Sequence, residues 1–143
     1  MELKINRGFK TYDIVDEDGT PAGTIRFNPA DPGIAGRFAT ATKEIEKLCN
    51  VEITPENLNA MDETVKAQMD FAFGAPVSGV LFGANSSLAF CANGKMLVEN
   101  ILDALLPVVK NDIEEAQKAV AKRMEQHTAA YQGSAAGLAP EQL

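Results

Sequence analysis

The chain has 143 residues, 45% of them hydrophobic, with 20 acidic and 13 basic residues giving a net charge of −7. That length suits one domain able to bury its own core, and the composition excludes an intrinsically disordered chain. The acidic balance has the wrong sign for displacing counterions from nucleic-acid phosphates or for lying on an anionic membrane.

No stretch reaches the roughly 18–20 apolar residues of a transmembrane helix. Residues 1–10 lack the apolar h-region of a secretory signal, so a cytoplasmic protein is expected. In that compartment Cys49 and Cys91 are expected to stay reduced.

Residues 9–28 read as a β-hairpin. Tyr12, Ile14 and Val15 lie in the first run, and Asp16-Glu17-Asp18-Gly19 is a turn cluster in which Gly19 is free to take positive φ. Thr24-Ile25-Arg26-Phe27 alternates as the return strand, with Ile25 and Phe27 on one face. Asp31-Pro32 then supplies an N-cap and a first helical position. Ile34, Phe38, Ala41, Ile45 and Leu48 follow as an apolar stripe, predicting a helix over 31–48. Thr54-Pro55 repeats the cap-and-proline signal, and Leu58, Met61, Val65, Met69 and Phe73 extend a second helix over 54–73. Gly74 suits its C-cap.

Residues 75–95 are ambiguous, because Gly79, Gly83 and Gly94 interrupt the apolar pattern. Asn93-Gly94 fits a tight hairpin turn or a loop, and short helical turns are the favoured reading. Residues 96–131 read as one long helix or two, with Leu97, Ile101, Leu105, Val109, Ile113, Val120 and Met124 on the apolar side. Pro107 is expected to kink or split it. Residues 133–143 read as a disordered polar tail.

Each candidate chemistry meets a simpler reading. With Gly19 at position 6 of a calcium loop, Ile14 and Ile25 fall at ligand positions, so 16–19 reads as a solvated turn. One histidine and two distant cysteines do not supply a catalytic zinc set. His127 reads as an exposed helix residue. Ser86 and Ser87 lack a nucleophile elbow and read as capping or turn groups. Asp62-Glu63 and Glu114-Glu115 diverge by about 100° on a helix and read as solvated faces. No catalytic, cofactor or metal residue is therefore assigned, and no enzyme is expected. The aromatic set is seven Phe, two Tyr and no Trp. Phe71, Phe73, Phe82 and Phe90 read as core, with an exposed partner-binding or self-association patch as the alternative.

The order of these pieces resembles a known family. The hairpin closes with Ile25-Arg26-Phe27-Asn28-Pro29-Ala30-Asp31, and two helices follow, the second ending in Phe73-Gly74. Then come Leu81-Phe82-Gly83, Ser86-Ser87, Gly94 and Asn100-Ile101-Leu102-Asp103-Ala104-Leu105-Leu106-Pro107. This is similar to the tail assembly chaperone-like proteins of long-tailed phages and prophages of Gram-positive bacteria, over about residues 8–132. The resemblance implies a non-catalytic protein that holds the tape-measure protein before tail-tube proteins polymerise around it. Phe71, Phe73, Phe82 and Phe90 are the candidate partner-binding residues, and homo-oligomers are expected as a further partnership. The alternative is a structural or oligomeric adaptor, such as a minor tail or head-completion protein. The expected architecture is α+β: a mostly helical domain over 1–132 with an N-terminal hairpin.

Overall fold

A computed structural model of the chain describes residues 1–134, with side chains as far as Gln126. The fold is α+β, an N-terminal antiparallel hairpin followed by four helices. Strands β1 (Lys10–Val15) and β2 (Pro21–Phe27) form the hairpin. Tyr12 pairs with Ile25 and Ile14 with Gly23, which places Tyr12, Ile14, Ile25 and Phe27 on one face. Ile25 and Phe27 are buried, while Thr24 and Arg26 face solvent. Gly19 adopts φ 87° in the turn, where its N–H donates to the Asp16 carbonyl at 2.8 Å.

Helix α1 (Pro32–Cys49) starts at the predicted signal, with the Asp31 carboxylate accepting from the Gly33 N–H at 2.8 Å. Ile34, Phe38, Ala41 and Ile45 are buried as the stripe predicts. Helix α2 (Leu58–Phe73) begins later than the expected residue 54. The Asn57 side chain turns back, accepting from the Thr54 N–H at 2.8 Å and donating to the Glu52 carbonyl at 2.9 Å. Those local bonds hold 54–57 as a separate turn, the usual competition between an asparagine side chain and the helical ladder. At the other end Gly74 has φ 63°; its N–H and that of Ala75 donate to the Phe71 and Asp70 carbonyls, both at 3.2 Å. This is a Schellman cap.

The core joins hairpin and helices through aromatic rings. Tyr12 stacks on Phe27 at 5.1 Å, Phe27 meets Phe73 edge-on at 4.8 Å, and Phe73 meets Phe38 at 5.4 Å. Phe73 thus links β2, α1 and α2 in one hydrophobic cluster.

Residues 75–96 combine both readings left open by the sequence. Ser78–Phe82 is a short helix, α3. Further on, Phe90 and Met96 form an isolated antiparallel bridge around the Asn93-Gly94 turn, with the Cys91 N–H on the Lys95 carbonyl at 2.8 Å. Helix α4 (Leu97–Ser134) then runs unbroken through Pro107. It is neither split nor ended there: Pro107 and Asp103, whose carbonyl loses its helical donor, both lie on the exposed side of the helix, where water can take that donor's place. α4 includes Gly133 and Ser134, which the sequence pattern assigned to the tail; 135–143, and the His127 side chain, lie outside the described residues. The buried stripe of α4 is Val98, Leu102, Leu105 and Val109. Leu97 and Ile101, expected on the apolar side, are only half-buried.

Phe38 is 2% exposed and Met69 0%. Phe38→Ala and Met69→Ala are each expected to cost about 2–5 kcal/mol, read by chemical denaturation. Pro107→Ala should instead raise the melting temperature, since proline in a helix interior is about 3 kcal/mol less favourable than alanine. An unchanged or lower midpoint for that variant would show that the proline is compensated.

Candidate functional site

Helix α2 carries two carboxylates, Asp62 and Asp70, that hold the irregular segment following it. The Asp70 carboxylate accepts from the Ser78 N–H at 2.8 Å and from the Ser78 hydroxyl at 3.1 Å. Asp62 Oδ1 accepts from both the N–H and the hydroxyl of Ser87 at 2.7 Å. Its Oδ2 pairs with the Lys66 ammonium at 3.0 Å, one helical turn along. Burial pushes the Asp62 carboxyl up, but the Ser87 bonds and the Lys66 charge outweigh it and hold the group below its ordinary value.

This corrects the reading of Asp62-Glu63 as a solvated pair. Glu63 is exposed, but Asp62 is half-buried and binds the chain 25 positions ahead. Ser87 behaves as the turn residue expected of it. Its side chain is fully buried, so its hydroxyl orders a loop and presents no nucleophile to solvent. Ser86 also serves the turn, accepting from the Leu88 N–H at 3.2 Å. Arg37, placed on the polar side of α1 by periodicity, donates from Nε to the Ala72 carbonyl at 3.4 Å. It thereby sets a cation at the C-terminus of α2, where the helix dipole favours one.

The four phenylalanines singled out by the sequence do not form one patch. Phe73 and Phe82 are 6% and 1% exposed and belong to the core. They are corrected here from partner-binding candidates to packing residues, because the aromatic chain from the hairpin and the seat of α3 consume their surfaces. Phe71 and Phe90 are 49% and 75% exposed and stand on the surface.

One open cleft of about 650 Å³ lies between the hairpin, α3 and the first half of α4. Half-buried Ile14, Val80, Leu97 and Ile101 give it an apolar lining, and exposed Asp13, Asp16 and Glu17 stand along one side. Sequence reasoning did not find this cleft, since its walls come from segments some 80 positions apart joined only by the fold. Both cysteines are free thiols, and Cys91 lines the cleft. Burial and the nearby Glu99 and Glu46 carboxylates push the Cys49 thiol up, opposite to the shift that activates a nucleophile. Among the described residues no three His, Cys, Asp or Glu side chains converge on a point that would hold a metal. No described helix is long and apolar enough to cross a membrane. Comparison with protein-family models, curated proteins and solved structures gives no significant match.

Asp62→Ala strands two buried donors of Ser87 and is expected to cost about 1.5–3 kcal/mol. The Asp62 carboxyl is held below its unfolded value, so its contribution is present above the ordinary carboxylate range and disappears as pH falls through the folded value. The gap in melting temperature between wild type and Asp62→Ala should therefore be full at neutral pH and narrow below about pH 4. A gap independent of pH would remove the charge from the account.

Proposed function

We propose that this protein is a non-catalytic assembly chaperone of a long-tailed phage or prophage, acting in the bacterial cytoplasm. It binds the tape-measure protein until tail-tube proteins polymerise around it. The order of sequence motifs supports the family, and the arrangement of polar and apolar groups supports a binding role. The carrying observation is where the two kinds of side chain end up. The buried Ser87 and its partner Asp62 hold backbone, and among the described residues no buried side-chain N or O lacks a hydrogen-bond partner. Large apolar side chains, by contrast, stand in solvent: Phe71 and Phe90 on the body, with Val51 and Ile53 between α1 and α2.

A tape measure is long and helical, with apolar stripes that aggregate unless covered, and exposed aromatic side chains suit such a stripe. The net charge of −7 keeps a complex of many copies soluble.

The test is an affinity pull-down of the tagged protein from cells producing its phage, with partners identified by mass spectrometry. Recovery of a very long helical protein encoded beside this gene is expected. Phe71→Ser with Phe90→Ser should reduce that recovery while leaving the melting temperature nearly unchanged. Recovery of only this chain, or of tube and head subunits that retain it in purified virions, would replace the chaperone with a structural adaptor.

A further inference from the structure

Helix α4 leaves the body partway along its length. Its last tie to the hairpin is the ion pair of Asp112 with the Lys10 ammonium at 2.8 Å. From Gln117 to Gln126 every residue is exposed, yet Val120 and Met124 continue the apolar stripe of Val109 and Ile113. This arm carries Lys118, Lys122 and Arg123 against the single carboxylate Glu125. At about 100° per residue, Arg123 flanks the stripe and Lys118 and Lys122 lie behind it.

The cleft beside the hairpin is the opposite in charge and alike in polarity. Its lining includes Asp13, Asp16 and Glu17 and no lysine or arginine, around the apolar surface of Ile14, Val80, Leu97 and Ile101. The arm cannot fill the cleft of its own molecule. One wall of that cleft is the start of the same unbroken helix, and Val120 lies about 29 Å further along the axis than Ile101.

From this juxtaposition we infer that the arm of α4 docks in the cleft of a second copy of this chain. Val120 and Met124 face the apolar lining, and Arg123 faces the acidic side. The arm's cations and the cleft's carboxylates steer the encounter over a longer range. Two copies that exchange arms reciprocally close a two-fold dimer, and one-way docking builds an open chain. The inference stands on the arm and the cleft alone and does not require the chaperone reading.

The test uses Cys91, already in the cleft. In the full chain carrying Cys49→Ser, Met124→Cys is treated with a mild thiol oxidant and run without reductant. A disulfide-linked species is expected that disappears when Cys91→Ser is added. It should not form with Lys118→Cys, whose side chain faces away. Light scattering should show self-association that weakens with salt. Asp16→Lys with Glu17→Lys should weaken it by about tenfold, and Lys122→Glu with Arg123→Glu should restore it in the same molecule. Linkage that persists without Cys91 would overturn the docking mode in favour of arm-to-arm pairing. A monomer at all concentrations, with the pull-down partner retained, would overturn self-association and leave the chaperone reading intact.

Discussion

The segment between α2 and α4 has little regular structure, and two carboxylates of α2 hold it in place. Asp70 fixes the start of α3 through Ser78, and Asp62 fixes Ser87 near the far end. Between them lie Leu81 and Phe82, with Leu88 next to the second, and their burial depends on the backbone being kept against α2. Val98, at the start of α4, also uses this loop: its N–H donates to the Ser87 carbonyl at 3.0 Å. The Asp62–Ser87 contact therefore sets where the longest helix begins. A serine that bonds through N–H, hydroxyl and carbonyl to two different helices is hard to replace by any other residue.

The regular elements were legible in the sequence, because each carries a periodic stripe between recognisable ends. Asp31-Pro32 marks the start of α1, and Gly74 the end of α2. The hairpin follows from Asp16–Gly19 and the Ile25, Phe27 alternation. What escaped is tertiary. In α4 both residues of the pairs Leu97-Val98 and Ile101-Leu102 are apolar, so periodicity alone does not say which turns inward. Pro107 reads as a breaker, and only its position on the solvent side explains why the helix continues. Asp62 reads as a surface charge because its partner lies in a loop distant in the chain. Among the four phenylalanines, sequence proximity concealed a division: Phe71 and Phe73 are two residues apart on α2 and so point to different sides.

Charge is divided unevenly along the molecule. The hairpin turn gathers Asp13, Asp16, Glu17 and Asp18, while the exposed part of α4 from Lys118 to Arg123 is basic. A net acidic protein thus presents a local basic surface on the stretch of α4 that lies beyond the body, from Gln117 to Gln126. The acidic turn and the basic stretch are thus opposite in sign and lie on different elements of the fold.

Pro107 also makes α4 a lever. Its missing N–H removes one rung of the helical ladder, and a helix bends most readily where a rung is absent. Met124 lies about 26 Å beyond that point along the axis, so a tilt of about 10° carries it through about 4 Å. The Lys10–Asp112 ion pair lies just past the proline, and as an exposed contact it resists such a tilt only weakly. A modest angular freedom near the body thereby becomes a displacement of atomic scale at the tip.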